Sequence, residues 1–233
     1  MLLQEAYIHV QQRLQNISAF VYKDVRPTEI DYFWKGGTYM FIKLAVPALD
    51  NSIPDQKYST IQASLDDLRA ITVNNTGITS PTEATSGGYT YVAGTLPADY
   101  LHLLNSRSIT QPVNCTTDGT REVTNRLTKL DLVFDLLENS IYKTDVLSPI
   151  SKLVGNTLTV YNSYRGTKLF TVSNVIIDYL RKPTIYTYAN DSGTTLEFPD
   201  NVCFKIIDTV AIYMAIIAEQ NPQKIQFLAS QHK

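Results

Sequence analysis

Val175-Ile176-Ile177-Asp178-Tyr179-Leu180-Arg181-Lys182-Pro183 is followed, after a polar loop, by Leu196-Glu197-Phe198-Pro199-Asp200 and then by an apolar stretch from Val202 to Ala218. In the first segment Val175, Ile177 and Tyr179 alternate with Ile176, Asp178 and Leu180, which predicts a strand with one solidly apolar face. Pro183 has no N–H to donate and ends the pairing. The apolar stretch reads as a helix. Val202, Ile206, Val210, Met214 and Ala218 form one row at spacing four, and Cys203, Ile207, Ala211 and Ala215 form the adjacent row. Lys205 and Asp208 are its only charges. Both rows are expected to pack on the chain's own first helix. Phe204, Ile212 and Ile216 lie on the far side with Asp208 and are surplus to a single buried face. A helix apolar nearly all round needs cover, and the remaining chain reads as too thin to supply all of it, so the expectation is assembly.

Working outward, the chain opens on an amphipathic helix. Leu3, Tyr7, Val10, Leu14, Ile17 and Val21 make one stripe, with Gln11, Gln12, Arg13 and Gln15 opposite. Pro27 breaks the chain, and Thr28 with Asp31 caps a second helix from about Glu29 to Ala45. Its apolar face is read as Tyr32, Phe33, Met40, Phe41 and Leu44. Gly36-Gly37 inside it signals a kink or a close backbone approach to a neighbour, since each glycine costs about 1 kcal/mol in a helix interior. A short helix is expected over 60–71.

The middle of the chain changes character. Residues 74–88 and 105–125 are rich in Thr, Asn and Ser and read as long loops, the second with a hairpin as the alternative. Tyr89 to Thr95 alternates like a strand, and strands are also expected over 157–161, 168–172 and 175–180, with Tyr164-Arg165-Gly166-Thr167 as a turn. No repeat and no flexible linker divides the chain. The fold class is α+β in one domain over 1–233: a helical core from the N- and C-terminal helices with a central antiparallel β region. Helical parts are placed at about 1–71, 126–142 and 199–220, and β-rich parts at about 89–125 and 156–183.

Composition bounds the partners. Of 233 residues 44% are hydrophobic and 18% charged, the latter below the usual quarter. With 15 tyrosines, this describes a neutral, contact-prone surface, since interfaces favour aromatics over Lys, Glu and Asp. A net charge of −2 without a basic run argues against general phosphate binding. Cys115 and Cys203 make neither a disulfide framework nor a metal site. The longest apolar run, Val210 to Ala218, is far short of the roughly 20 residues a membrane span needs, and the N-terminus has no signal-peptide pattern. A soluble product made in the cytoplasm is expected.

Catalytic patterns are missing from the sequence. His9, His102 and His232 are scattered, with no His-Glu-x-x-His and no nucleophile elbow. Asp66-Asp67 point in different directions on a helix, and Asp135 and Glu138 share an ordinary solvated face. The expectation is a protein that is not an enzyme and uses no cofactor or metal.

The segments Asp178 to Pro183, Leu196-Glu197-Phe198-Pro199 and the Ile206-Ile207-Asp208-x-x helix, with Leu96-Pro97-Ala98-Asp99-Tyr100-Leu101-His102 and the opening helix, resemble virion structural proteins of tailed phages of Bacteroidetes. They look most like ring or head–tail connector proteins of crAss-like phages. The resemblance implies a homo-oligomeric ring, twelvefold in expectation, stacked on the portal protein and adjacent ring or tail proteins at the head–tail junction. It implies at most weak, non-specific contact with DNA in the channel, and none with membrane. Phe204, Ile212 and Ile216 would face a neighbouring subunit, with Arg181 and Lys182 marking a further contact, and the Thr/Asn-rich loops would touch adjacent rings. Deletion of 110–120 is expected to impair assembly and spare the fold. A tail or baseplate adaptor is the runner-up. A carbohydrate-binding module or hydrolase, with Tyr89, Tyr91 and Tyr100 as its aromatic cluster, is the alternative of another class.

Overall fold

The computed structural model describes residues 1–17, 25–46, 65–113 and 119–219. Its helices are α1 (Leu3–Ile17), α2 (Pro27–Ala45), α3 (Val133–Glu138), α4 (Tyr188–Asp191) and α5 (Asp200–Glu219), with a short helical stretch over 65–71 where a helix over 60–71 is expected, 60–64 lying outside the described residues. The strands are β1 (Thr72–Gly77), β2 (Thr79–Ser86), β3 (Tyr89–Thr95), β4 (Tyr100–Pro112), β5 (Arg121–Thr124) and β6 (Arg126–Leu127), then β7 (Ile150–Val154), β8 (Thr157–Tyr161), β9 (Ser163–Tyr164), β10 (Thr167–Lys168) and β11 (Phe170–Arg181). The chain is α+β, with helices at its two ends and antiparallel sheets between them. By contacts it forms two compact units, Met1–Ile71 with Pro183–Lys233, and Thr72–Lys182. The absence of a linker signal suggested one domain, but neither crossing carries a Gly/Ser-rich stretch that could have announced the division.

In the helical unit most of the predicted stripe of α1 is buried: Leu3, Tyr7, Val10 and Leu14 are covered, and Ile17 at the helix end is half-buried. Val21 lies outside the described residues. Both rows of α5 are covered too, from Val202, Ile206, Val210 and Met214 to Cys203, Ile207, Ala211 and Ala215. Each large aliphatic among them contributes about 1.5–3 kcal/mol on burial. The cover comes from α1 and α2 of the same chain.

Two expectations for α2 change. Pro27 does not break the chain before the helix but occupies its first position, with Arg26 as N-cap and the Glu29 carboxylate accepting from the Arg26 N–H at 3.3 Å. Proline's fixed φ and missing N–H suit that position, so Thr28 falls in the first turn and Asp31 just past it, rather than at the cap. The buried face is Ile30, Trp34, Gly37, Thr38, Phe41 and Ile42, while Tyr32, Met40 and Leu44 are exposed. The face turns because Gly37 lies on the contact line with α5: a Cβ there would sit 3.2 Å from Val210 Cα and closer still to its Cγ2. Of the two readings for Gly36-Gly37, close approach is the one the fold uses.

The β unit is a sandwich. One sheet has the order β1-β11-β4-β5, the other β2-β3-β8-β7-β6, antiparallel except for β6 with β7. Ile78, Leu96, Leu158, Val160, Val175, Ile177 and Tyr179 fill the space between the sheets. The face of β11 predicted to be apolar is thus the one that is buried.

The reading of 74–88 as a loop is overturned. Most of it lies in β1 and β2, and Gly87-Gly88 (φ 60° and 81°) forms the two-residue turn that pairs Ser86 with Tyr89. Threonine is β-branched and suits a half-exposed strand as well as a loop, so polarity misled. Likewise 105–125 is the hairpin alternative, β4 against β5, with 114–118 outside the described residues. Deletion of 110–120 would cut strand: Thr110, Gln111 and Pro112 pair with β11, and Thr110 is buried. The two strands expected at 168–172 and 175–180 are largely one, β11, with a register shift between Val172 and Asn174. Helix over 126–142 shrinks to α3, which buries only Val133 and Leu137. Asn139 ends it by accepting from the Ile141 N–H at 2.8 Å, an Asx turn.

Candidate functional site

The residues proposed as an interface divide between the two units. Phe204, Ile212 and Ile216 sit on the outward arc of α5, where Phe204 is 40% exposed and the two isoleucines are half-buried. The charges on that arc are engaged inside the unit. Lys205 pairs with Asp67, and Asp208 receives Arg13 Nε at 2.9 Å. Phe204 meets the His9 ring edge-on at 5.3 Å. The chain therefore covers more of α5 than its sequence suggested. Among the described residues of this unit, the large apolar side chains left exposed are Phe204, Ile8 of α1, Tyr32, Met40 and Leu44 of α2, and Ile185 before α4.

Arg181 ends β11 and Lys182 follows it, both in the β unit. Lys182 donates from its backbone N to Asp99 O at 2.7 Å and from Nζ to Ala98 O at 2.9 Å. Arg181 Nη1 donates to Lys182 O at 3.2 Å, and Tyr179 donates its hydroxyl to Asp99 at 3.0 Å. Two motifs far apart in sequence, 96–100 and 178–182, thus clamp each other. In the helical unit Glu197 caps Thr184 through both its N–H (2.8 Å) and hydroxyl (3.0 Å), and Cys203 Sγ donates to Phe198 O at 3.2 Å. These motif residues hold the fold in place.

The tyrosine cluster is only partly assembled. Tyr100 packs at 6.0 Å on Tyr179 against the inter-sheet core, away from the other two. Tyr89 and Tyr91 lie on the outer face of the second sheet beside α3. There Tyr91 meets Tyr161 at 5.7 Å and Tyr89 meets Phe134 at 5.8 Å. Ser86, Tyr91, Phe134, Lys152, Thr159 and Tyr161 line an open pocket of about 140 Å³. Lys152 Nζ stands over two of its rings, 5.3 Å from Tyr161 and 5.6 Å from Phe134. Glu138, read as a solvated residue, accepts from the Tyr89 hydroxyl at 3.1 Å.

A second polar feature crosses the other sheet and was not anticipated. One residue from each strand takes part: Asn75 of β1, Asp178 of β11, Arg107 of β4 and Glu122 of β5. The Arg107 guanidinium reaches Asp178 at 3.3 Å and also bonds Asn75 and Glu122. Asn75, at φ 58°, donates its N–H to Asp178 at 2.8 Å. This positive φ falls within the register shift of β1 between Val73 and Thr76. Arg107 falls in the 105–125 stretch read as a loop or hairpin, and in the sheet it stands opposite Ile176, diagonal to Asp178, a register that no local pattern set.

Among the described residues no three His, Cys, Asp or Glu side chains gather as a metal site. His102 is exposed and His9 lies on α1, while His232 and Cys115 are outside the described residues. Burial pushes the Cys203 thiol up to about 11, which makes it inert. No described helix is long and apolar enough to cross a membrane. The chain matches no known protein family and no curated protein.

Proposed function

We propose that this protein is a virion structural protein, a subunit of a head-to-tail connector ring, and not an enzyme. The observation that carries assembly is the surface of the helical unit. Each of its three long helices leaves a large apolar side chain outside: Ile8 on α1 (52% exposed), Tyr32 and Leu44 on α2 (77% and 65%), and Phe204 on α5 (40%). Scattered apolar residues are ordinary, but this many on one small unit is what a subunit interface needs. The phage assignment rests on the resemblance of the 96–102, 178–183 and 196–210 motifs. In this reading copies associate head-to-tail around an axis, in twelvefold expectation, through heterologous contacts that close. The portal protein and adjacent rings or tail proteins are the partners, with the virion's head–tail junction as the place of action.

Native mass spectrometry and electron-microscopy class averages of the purified full chain test this. A closed ring is the expected result. A monomer that persists to about 100 µM, well above a micromolar association, overturns it. The second reading, a tail or baseplate adaptor, is favoured by the aromatic pocket of the β unit, which presents a lysine to an incoming partner.

A further inference from the structure

We infer that the pocket between β3, β8, β7 and α3 receives an acidic side chain from an apolar segment of a partner protein, with Lys152 as the anchoring cation. The inference rests on the assembly reading above and gives it a second, separate contact. Three observations converge on it.

The first is the state of Lys152. The residue is half-buried with its ammonium placed over the faces of Tyr161 and Phe134, yet no carboxylate pairs with it among the described residues. Ring faces attract a cation but accept none of its three N–H bonds in the manner of an oxygen. A carboxylate entering the pocket would supply those acceptors in a partly desolvated site, where charged hydrogen bonds are strongest. The hydroxyls of Ser86 and Thr159 line the same pocket.

The second is size. About 140 Å³ falls below the roughly 300 Å³ at which small-molecule sites begin. It suits one side chain rather than a cofactor.

The third is the rim. The segment that carries Phe134 (50% exposed) also exposes Leu130 and Leu132, at 56% and 46%. Aliphatic side chains beside an aromatic-walled cation are what a protein partner covers. A sugar or a nucleic acid would use bare ring faces for stacking, and here Lys152 occupies two of them. Asp131 and Asp135 are also exposed on this segment. Their charge repels an acid along this segment, so Lys152 must supply the attraction.

The test measures fluorescence anisotropy of a labelled peptide of alternating glutamate and leucine against the full-length protein. A glutamine-for-glutamate peptide and oligothymidylate serve as comparison probes. Saturable binding of the acidic peptide is expected, weakened at least about tenfold by Lys152→Met, which keeps the apolar stem over the rings. The glutamine peptide should bind at least about tenfold more weakly than the acidic one. Phe134→Ser, at a half-exposed position, is the second variant and should weaken binding several-fold. It decides the matter if Lys152→Met fails to fold by circular dichroism. Absence of peptide binding, equal binding of the glutamine peptide, or binding indifferent to both variants overturns the inference. So does oligothymidylate binding more tightly with the same dependence on Lys152. Native mass on the same samples separates the two readings: rings without peptide binding remove this site alone, and peptide binding by a monomer removes the ring alone.

Discussion

Gly37 of α2 faces Val210 of α5 so closely that a Cβ on the glycine would lie 3.2 Å from the valine's Cα and inside contact with its Cγ2. The valine backbone cannot yield as a flexible chain end would. Gly37→Ala should therefore destabilise the helical unit by about 1–3 kcal/mol from overpacking, although alanine gains about 1 kcal/mol in helix propensity. Gly36 meets only the Tyr213 ring, at 3.2 Å. Gly36→Ala should be near neutral or stabilising. Urea denaturation of both variants checks the contrast, and equal effects would refute it.

The Arg107–Asp178 pair ties β4 to β11 with side chains only 24% and 17% exposed. Removing one partner leaves the other poorly solvated, so Asp178→Ala should cost about 1–3 kcal/mol. Asn75 adds a separate test, because its φ of 58° is tolerated by Asn and Gly but strains alanine. Asn75→Ala should destabilise by about 1–2 kcal/mol and Asn75→Gly by clearly less. Chemical denaturation midpoints of the three variants decide this.

Alkaline pH should weaken the fold. Burial, and then the hydrogen bond to Asp31, raise the Tyr7 hydroxyl well above its ordinary 10, and burial raises the Cys203 thiol from 9 to about 11. In the unfolded chain both groups lose their protons at the ordinary values, while the folded chain still holds them. The stability these two groups contribute is therefore complete below pH 9, falls from pH 9 to 11 as Cys203 titrates, and falls further above pH 10 through Tyr7. Thermal melts from pH 8 to about 11 should show a decline that Tyr7→Phe and Cys203→Ala each reduce. A flat profile in the native chain would refute it. In a Cys115→Ser background, Cys203 should resist a thiol reagent at pH 8 until denaturant is added.

Assembly, if it uses the outer arc of α5, should respond to exposed positions without loss of fold. Leu44→Ser removes apolar area that is mostly in water and should change stability by less than about 0.5 kcal/mol, while Phe204→Ser also gives up the edge-on contact with His9 and should cost about 1–2 kcal/mol, a loss that chemical denaturation of the variant measures separately. The mass measured by light scattering should nevertheless fall toward the monomer. Unchanged oligomers in the double variant would exclude this face.

Where one periodicity had one interpretation, the sequence was legible. Spacing of three and four fixed α1 and both buried rows of α5, and alternation fixed the buried face of β11. It failed where chemistry is ambiguous. The threonines of 79–86 suit a loop or a strand, and only pairing with β3 chose the strand. Tyr32, Met40 and Leu44 look like a helix core, and only the approach of α5 at Gly37 turned them outward. For the candidate site, Tyr89 and Tyr91 were found by composition. Phe134, Tyr161 and Lys152 were not, because they come from separate elements and meet through strand register.

The sequence by itself determined the α+β class, α1 and α5 as helices and the surplus of apolar positions on α5, because these are local properties of spacing and side-chain type. Only the tertiary structure decided which apolar residues are covered, which strands share a sheet, and that Lys152 stands over two rings. Those outcomes depend on contacts between distant segments, and local periodicity carries no information about which partner a face will meet.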